Sequence, residues 1–425
     1  MTAQSASLAR RLGTGDAVVI GLGSMIGAGV FSAWAPAAAA AGSWLLVGLL
    51  LAAGVAYCNA VASAQLAAQY PTSGGTYIYG RQRLGPAWGF LAGWGFVIGK
   101  TASSAAMALT FAAYLLPQPG LGQRLLGVAA VLAFSAVNYR GITRTAGVAR
   151  LLVGLSIAAL AIFVAAVTIG PRTLLTAPQA ATSQSDPYGV LQSAGLLFFA
   201  FAGYARIATL GEEVRDPSRT IPRAIPLALG ITVVIYLAVG AAALYAAGPA
   251  ALATSTRPLA TALQAAGAAN FVLPVILVGA AVASLGALLA LIAGVGRTSL
   301  AMARNGDLPR WLASVHPRFQ VPDHAELALG VVISLLVLAT DLRGAIGFSS
   351  FGVLIYYAIA NASAFTQTGR ERRWPRALNA IGMLGCLALV VTLPVEAVVS
   401  GVVMFAVGLA GWFLTGHRSG RPASG

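Results

Sequence analysis

Apolar stretches of about twenty residues alternate with short polar connections along nearly the whole chain. Read against their glycine, proline and charged breakers, these stretches predict membrane-spanning helices near 16–40, 44–68, 86–115, 121–139, 148–169, 187–211, 223–247, 272–300, 325–340, 345–367, 377–393 and 395–415. Twelve spans return both ends to one side. The N-terminal residues lack the apolar core and small-residue cleavage site of a signal peptide, so insertion is expected to fall to the first span.

Composition narrows the class further. Of 425 residues, 58% are hydrophobic and 9% charged, and the mean hydropathy is +0.82. A soluble domain carries about 25% charged residues. At roughly 20 residues per crossing, twelve spans use about 240 residues, which leaves short loops. The expectation is an all-α polytopic membrane protein in contact with the lipid bilayer.

The net charge of +15 could point to nucleic acid, but the placement of the charges argues otherwise. Twenty of the 25 arginines fall on the side that also holds the N-terminus, four on the other side, and Arg206 lies inside a span beside the lone lysine, Lys100, in another. Cytoplasmic loops hold such an excess of basic residues. Both termini are therefore expected in the cytoplasm, and no nucleic-acid partner is needed. Cys58 and Cys386 lie in apolar stretches and read as free thiols packed as small hydrophobes.

Two spans carry internal interruptions. The first contains Gly21-Leu22-Gly23-Ser24-Met25-Ile26-Gly27-Ala28-Gly29, and the sixth contains Phe198-Phe199-Ala200-Phe201-Ala202-Gly203-Tyr204-Ala205-Arg206. Unwound backbone inside a membrane persists only where it is buried in protein or lines a cavity. Interrupted helices at corresponding positions of two halves point to a transporter binding site, and an odd offset of five spans implies opposite orientations. A half-helix N-terminus can hold an anion, while freed carbonyls can accept from an ammonium. Close helix packing through Gly23 and Gly27 is the competing reading. A dinucleotide fingerprint is not supported, since the strand and the acidic residue it requires are missing.

The run Gly21 to Phe31, the segment Tyr70-Pro71-Thr72-Ser73-Gly74-Gly75-Thr76-Tyr77, the stretch Phe198 to Pro222 and the segment Ala301-Met302-Ala303-Arg304-Asn305-Gly306-Asp307-Leu308-Pro309 together resemble the amino acid–polyamine–organocation (APC) transporter superfamily. The resemblance spans about residues 13 to 368. It implies two inverted five-helix repeats, at 16–169 and 187–367, with peripheral helices over 377–415 and cytoplasmic ends at 1–15 and 416–425. It also implies alternating access. The substrate carboxylate would meet the amides of Gly27, Ala28 and Gly29, and the α-amino group would meet the carbonyls of Met25 and Ala202. Ile26, Gly203 and Tyr204 complete the two breaks. Phe199 matches an aromatic lid of such transporters, with plain packing as its alternative.

Charges inside the membrane refine this picture. Lys100 lies at mid-span, where a charge costs at least about 2.5 kcal/mol on insertion scales. It is expected to face the bundle interior, and snorkelling to an interface is the bland alternative. Two functions stay open for it: exchange of a proton as the protein opens to either side, or direct contact with substrate. Certain proton-coupled relatives carry a fifth-span lysine, and the matching position here is Ser156. Arg206 keeps its charge at any relevant pH and is expected to pair with Glu212 or Glu213. None of the eleven acidic residues lies at mid-span, and Ala205 follows Tyr204 where transporters of cationic substrates often place an acid.

The resulting expectation is a secondary transporter of an amino acid, leaning to neutral ones, in the plasma membrane, with protons or exchange as the driving step. A cationic amino acid or polyamine antiporter of the same family is the alternative. A channel or nutrient sensor on the same scaffold is the alternative of another class. Enzyme chemistry is disfavoured because His316, His324 and His417 lie in loops or the tail and no H-E-x-x-H motif exists. No cofactor or metal is expected.

Overall fold

Local chemistry explains where the helices begin. The computed structural model describes residues 12–71, 74–141, 146–169, 186–208, 210, 213–369 and 372–416, and among them the regular elements are helical apart from one parallel bridge between Leu12 and Val214. Residues 1–11 and 417–425, together with Thr72, Ser73 and Glu212, lie outside the described residues.

The first span is built from α1 (Thr14–Met25), α2 (Gly29–Ser32) and α3 (Trp34–Ala41). It is followed by α4 (Leu45–Gln69), the short α5 (Thr76–Arg83), α6 (Pro86–Leu115), α7 (Leu121–Tyr139) and α8 (Ala146–Ile169). The sixth span is divided into α9 (Pro187–Phe201) and α10 (Ala205–Ala208). Then come α11 (Pro217–Thr254), α12 (Pro258–Ala265), α13 (Ala269–Arg304), α14 (Asp323–Ala339), α15 (Leu342–Phe365), α16 (Arg376–Thr392) and α17 (Val395–Gly416).

Carboxylates cap several starts. Asp186 accepts from the Tyr188 amide before α9, and Asp341 accepts from the Gly344 amide before α15. Before α11, Asp216 accepts from the Arg219 amide and Pro217 takes the first helical position, where its missing N–H is harmless. That cap starts α11 at Pro217, ahead of the boundary expected at residue 223. Gly248, at φ 72°, breaks the helix where the span was expected to finish.

Burial separates central from peripheral helices. The most apolar stretches of α6 and α15 are each 83% buried, against 11% for α17. α6 and α15 meet along a seam of small residues, where a Cβ on Gly352 would lie 2.7 Å from the Gly95 carbonyl oxygen. The hydroxyls of Ser103 and Ser349 bond across the same seam at 2.6 Å. Outer faces expose large apolar side chains such as Val234, Phe271, Leu335, Ile381 and Leu414. Among the described residues, nine helical stretches are long and apolar enough to cross a membrane, with α9 and α16 as shorter apolar helices. The chain is an all-α, multi-pass membrane protein.

Connections assigned to one face by the alternation of spans also touch one another. Leu12 pairs with the backbone of Glu213 and Arg215, and Asp16 forms an ion pair with Arg150. Arg83 bonds to Thr366, and Arg81 to Asp307. On the opposite face, Arg124 at the start of α7 reaches the Leu338 carbonyl near the end of α14.

Candidate binding site between the broken helices

The chain unwinds at both interruptions, and the unwound segments lie against each other. After α1, Ile26 adopts φ −78° and ψ 67°, the centre of an inverse γ-turn closed by the Gly27 amide donating to the Met25 carbonyl at 2.8 Å. Helix resumes at Gly29, so the amides just before and after it have no preceding helical carbonyls to serve. The Ala28 amide points at the Met107 sulfur at 3.3 Å, a weak acceptor. In the sixth span, Ala202, Gly203 and Tyr204 form the turn between α9 and α10.

Gly203 is required by this meeting. A Cβ there would fall 2.1 Å from the Ser24 carbonyl oxygen and 2.6 Å from the Met25 nitrogen. Only a residue without a side chain lets the two backbones approach so closely.

Four side chains from other helices serve the breaks. Lys100 of α6 is buried, and its Nζ donates to the Ala202 carbonyl at 3.0 Å. The Tyr357 hydroxyl of α15 donates to the same oxygen at 3.3 Å. From α11, the Tyr236 hydroxyl lies 2.7 Å from the Met25 carbonyl and 3.1 Å from that of Ala200, sharing one proton between them. Met107 of α6 is the fourth. A hydrogen bond from a charged donor contributes about 1.5–3 kcal/mol net, so the Lys100 contact is a substantial tie between α6 and the sixth-span break.

The structure thus brings together Met25, Ile26, Gly27, Ala28, Gly29, Ala202, Gly203 and Lys100. Tyr204 is fully buried with its ring 4.9 Å from that of Tyr357. Phe199 is buried in the last turns of α9. Ser156 is buried in α8, where its hydroxyl bonds to the Leu152 carbonyl of its own helix. Arg206 lies in α10 just past the break, with Glu213 and Arg297 as charged neighbours. Sequence reasoning missed Tyr236, Tyr357 and Met107. Each is a mostly apolar side chain in an apolar run, and only its neighbours in space reveal its polar contact.

Two of the motif segments converge away from the breaks. The Asp307 carboxylate accepts from the Tyr77 hydroxyl at 2.6 Å, from Arg81 at 2.8 Å and from Trp412 at 2.9 Å, while Asn305 donates to the Tyr77 oxygen at 2.8 Å. Burial, and then the Asp307 carboxylate, push the Tyr77 phenol well above its usual range. It therefore keeps its proton and remains a donor.

Comparison with known proteins agrees with this architecture. The chain is 58% identical to an uncharacterized transporter of Mycobacterium tuberculosis over 95% of its length and 91% of that protein. It is 26% identical to a branched-chain amino acid permease of Bacillus subtilis over 99% of its length and 96% of that protein. A methylthioribose transporter of Bacillus subtilis is 28% identical over 85% of the chain and 80% of that protein. The model of the family described as amino acid permease matches residues 12–414, and the chain belongs to that family of APC transporters.

Proposed function

We propose that this transporter carries a neutral amino acid across the plasma membrane by alternating access, with both termini in the cytoplasm. The observation that carries the reading is the contact of two unwound segments inside the bundle, with a lysine on one of their carbonyls. The amides of Ala28, met only by the weak Met107 acceptor, and Gly29 suit a carboxylate, and that of Gly27 would join them on leaving the Met25 carbonyl, since an unwound helix start favours an anion. The carbonyls of Met25 and Ala202 suit an amino group, and Phe199 would close over the bound molecule. Among the described residues, the side chains bonded to the breaks include a lysine and no carboxylate, which favours a neutral substrate over a cationic one. Relatives at 26–28% identity include a branched-chain amino acid permease and cationic amino acid transporters alike, so the choice of a neutral substrate rests on the side chains at the breaks.

Lys100 is also the group suited to proton coupling, because it is a titratable side chain in contact with a break. Ser156 bonds within its own helix and offers no charge. Purified protein in liposomes is expected to accumulate a labelled neutral amino acid saturably, with counterflow, under a proton gradient or in exchange. Failure with all common amino acids and polyamines in both modes would overturn the reading. Non-saturable flux without counterflow would make the protein a channel.

A further inference from the structure

Both carbonyls suited to a substrate amino group already hold protein donors. A carbonyl oxygen offers two lone pairs. That of Met25 accepts from the Gly27 amide at 2.8 Å and from Tyr236 at 2.7 Å. That of Ala202 accepts from Lys100 at 3.0 Å and from Tyr357 at 3.3 Å. Among these four donors, Lys100 alone is an amine, and it sits where the amine of a bound amino acid would sit.

We propose that Lys100 is a tethered stand-in for the substrate's amino group, holding the Ala202 carbonyl so that the site admits amino acids without net positive charge and rejects cationic ones. The inference rests on the reading of this site as an amino acid site and adds the residue that selects the class.

Two observations support it. Lys100 is buried, and among the described residues the three ion pairs join Arg81 to Asp307, Arg150 to Asp16 and Arg219 to Asp216, so its charge is not offset by a salt bridge. In a medium of low effective dielectric, a second cation brought beside such a charge is repelled and a carboxylate is attracted. An ammonium on a four-carbon stem has three rotatable donors. One is engaged by Ala202, while the substrate carboxylate is taken by the first-span amides. When the stem swings aside, the Ala202 oxygen is released to the incoming amine. Among the described residues, the other donors on the two carbonyls are tyrosines and a backbone amide, none of them an anion.

The test compares norleucine with lysine, which has the same side chain extended by one amino group, as competitors of a labelled neutral amino acid on the purified full-length protein. The wild type is expected to bind norleucine at least tenfold more tightly than lysine. Lys100→Arg, which keeps the charge, is expected to keep that preference. Lys100→Met, and Lys100→Gln as a second uncharged variant, are expected to shrink the preference at least tenfold. Equal binding of lysine and norleucine by the wild type would overturn the proposal without any variant. An unchanged preference in a folded, norleucine-binding Lys100→Met or Lys100→Gln protein would also overturn it. So would loss of norleucine binding in both uncharged variants while they remain folded, since Lys100 would then be a requirement for binding. A wild type that binds neither compound would instead overturn the amino acid reading, and the inference with it.

Discussion

Gly203 shows how one residue can hold a site together. Its missing side chain is the space in which the Ser24 carbonyl lies, and a backbone atom cannot rotate away as the end of a flexible side chain can. Gly203→Ala is expected to lower stability by about 1–3 kcal/mol through overpacking and to reduce uptake at least tenfold. Thermal unfolding of the purified variant and uptake by liposomes measure the two effects separately. Uptake within twofold of wild type would show that the breaks need not touch. Tyr236→Phe removes the hydroxyl that reaches Met25 and Ala200. The buried Met25 carbonyl keeps its bond from Gly27, so the expected loss is a moderate one, about 1–2 kcal/mol, read from the same unfolding curve. Gly203 and Lys100 are legible in the sequence because a glycine in an aromatic-rich run and a lysine in an apolar run both violate the local pattern. Tyr236 and Tyr357 violate nothing. A tyrosine is apolar along most of its length, so its role depends on which carbonyl stands at its tip.

At the scale of elements, hydrophobic runs locate helices well and their interruptions less sharply. The twelve apolar stretches correspond to helical segments whose ends follow caps such as Asp186, Asp216 and Asp341. The glycine-rich run of the first span marks a break without saying that only Ile26 to Ala28 unwind. The short α5 and α12 escape the apolar reading because neither is long enough to cross a membrane. α5 nonetheless supplies Tyr77 and Arg81 to Asp307. The α6–α15 seam is equally invisible without a partner to pack against. Gly352→Ala would press a Cβ onto the Gly95 carbonyl oxygen, separating the helices that carry Lys100 and Tyr357. A fall of about 1–3 kcal/mol in stability, with weakened amino acid binding, is expected. Gly230→Ala, on α11 with no atom of another element within 4 Å of the added carbon, is the control. It is expected to be neutral or to stabilise by up to about 1 kcal/mol through helix propensity. Equal effects at the two positions would remove the seam from the account.

For the whole molecule, charge placement and geometry agree on which connections share a face. Leu12 with Glu213, Asp16 with Arg150, Arg83 with Thr366 and Arg81 with Asp307 are all contacts within the arginine-rich set. The orientation proposed from that bias places both termini in the cytoplasm. A single cysteine introduced at Ser419 should react with a membrane-impermeant thiol reagent in inside-out vesicles and stay unreactive in intact cells. Cys58 and Cys386 are buried and should give little background. Labelling in intact cells would invert the topology.

In the proposed transport cycle an amino acid binds where the two unwound segments meet. Photo-crosslinking with a diazirine analogue of leucine, followed by peptide mapping, tests it most directly. Label is expected in peptides containing Met25 to Gly29 and Phe199 to Tyr204, and excess unlabelled neutral amino acid should remove it. Label confined to other helices, or label that competitor leaves in place, would contradict the account.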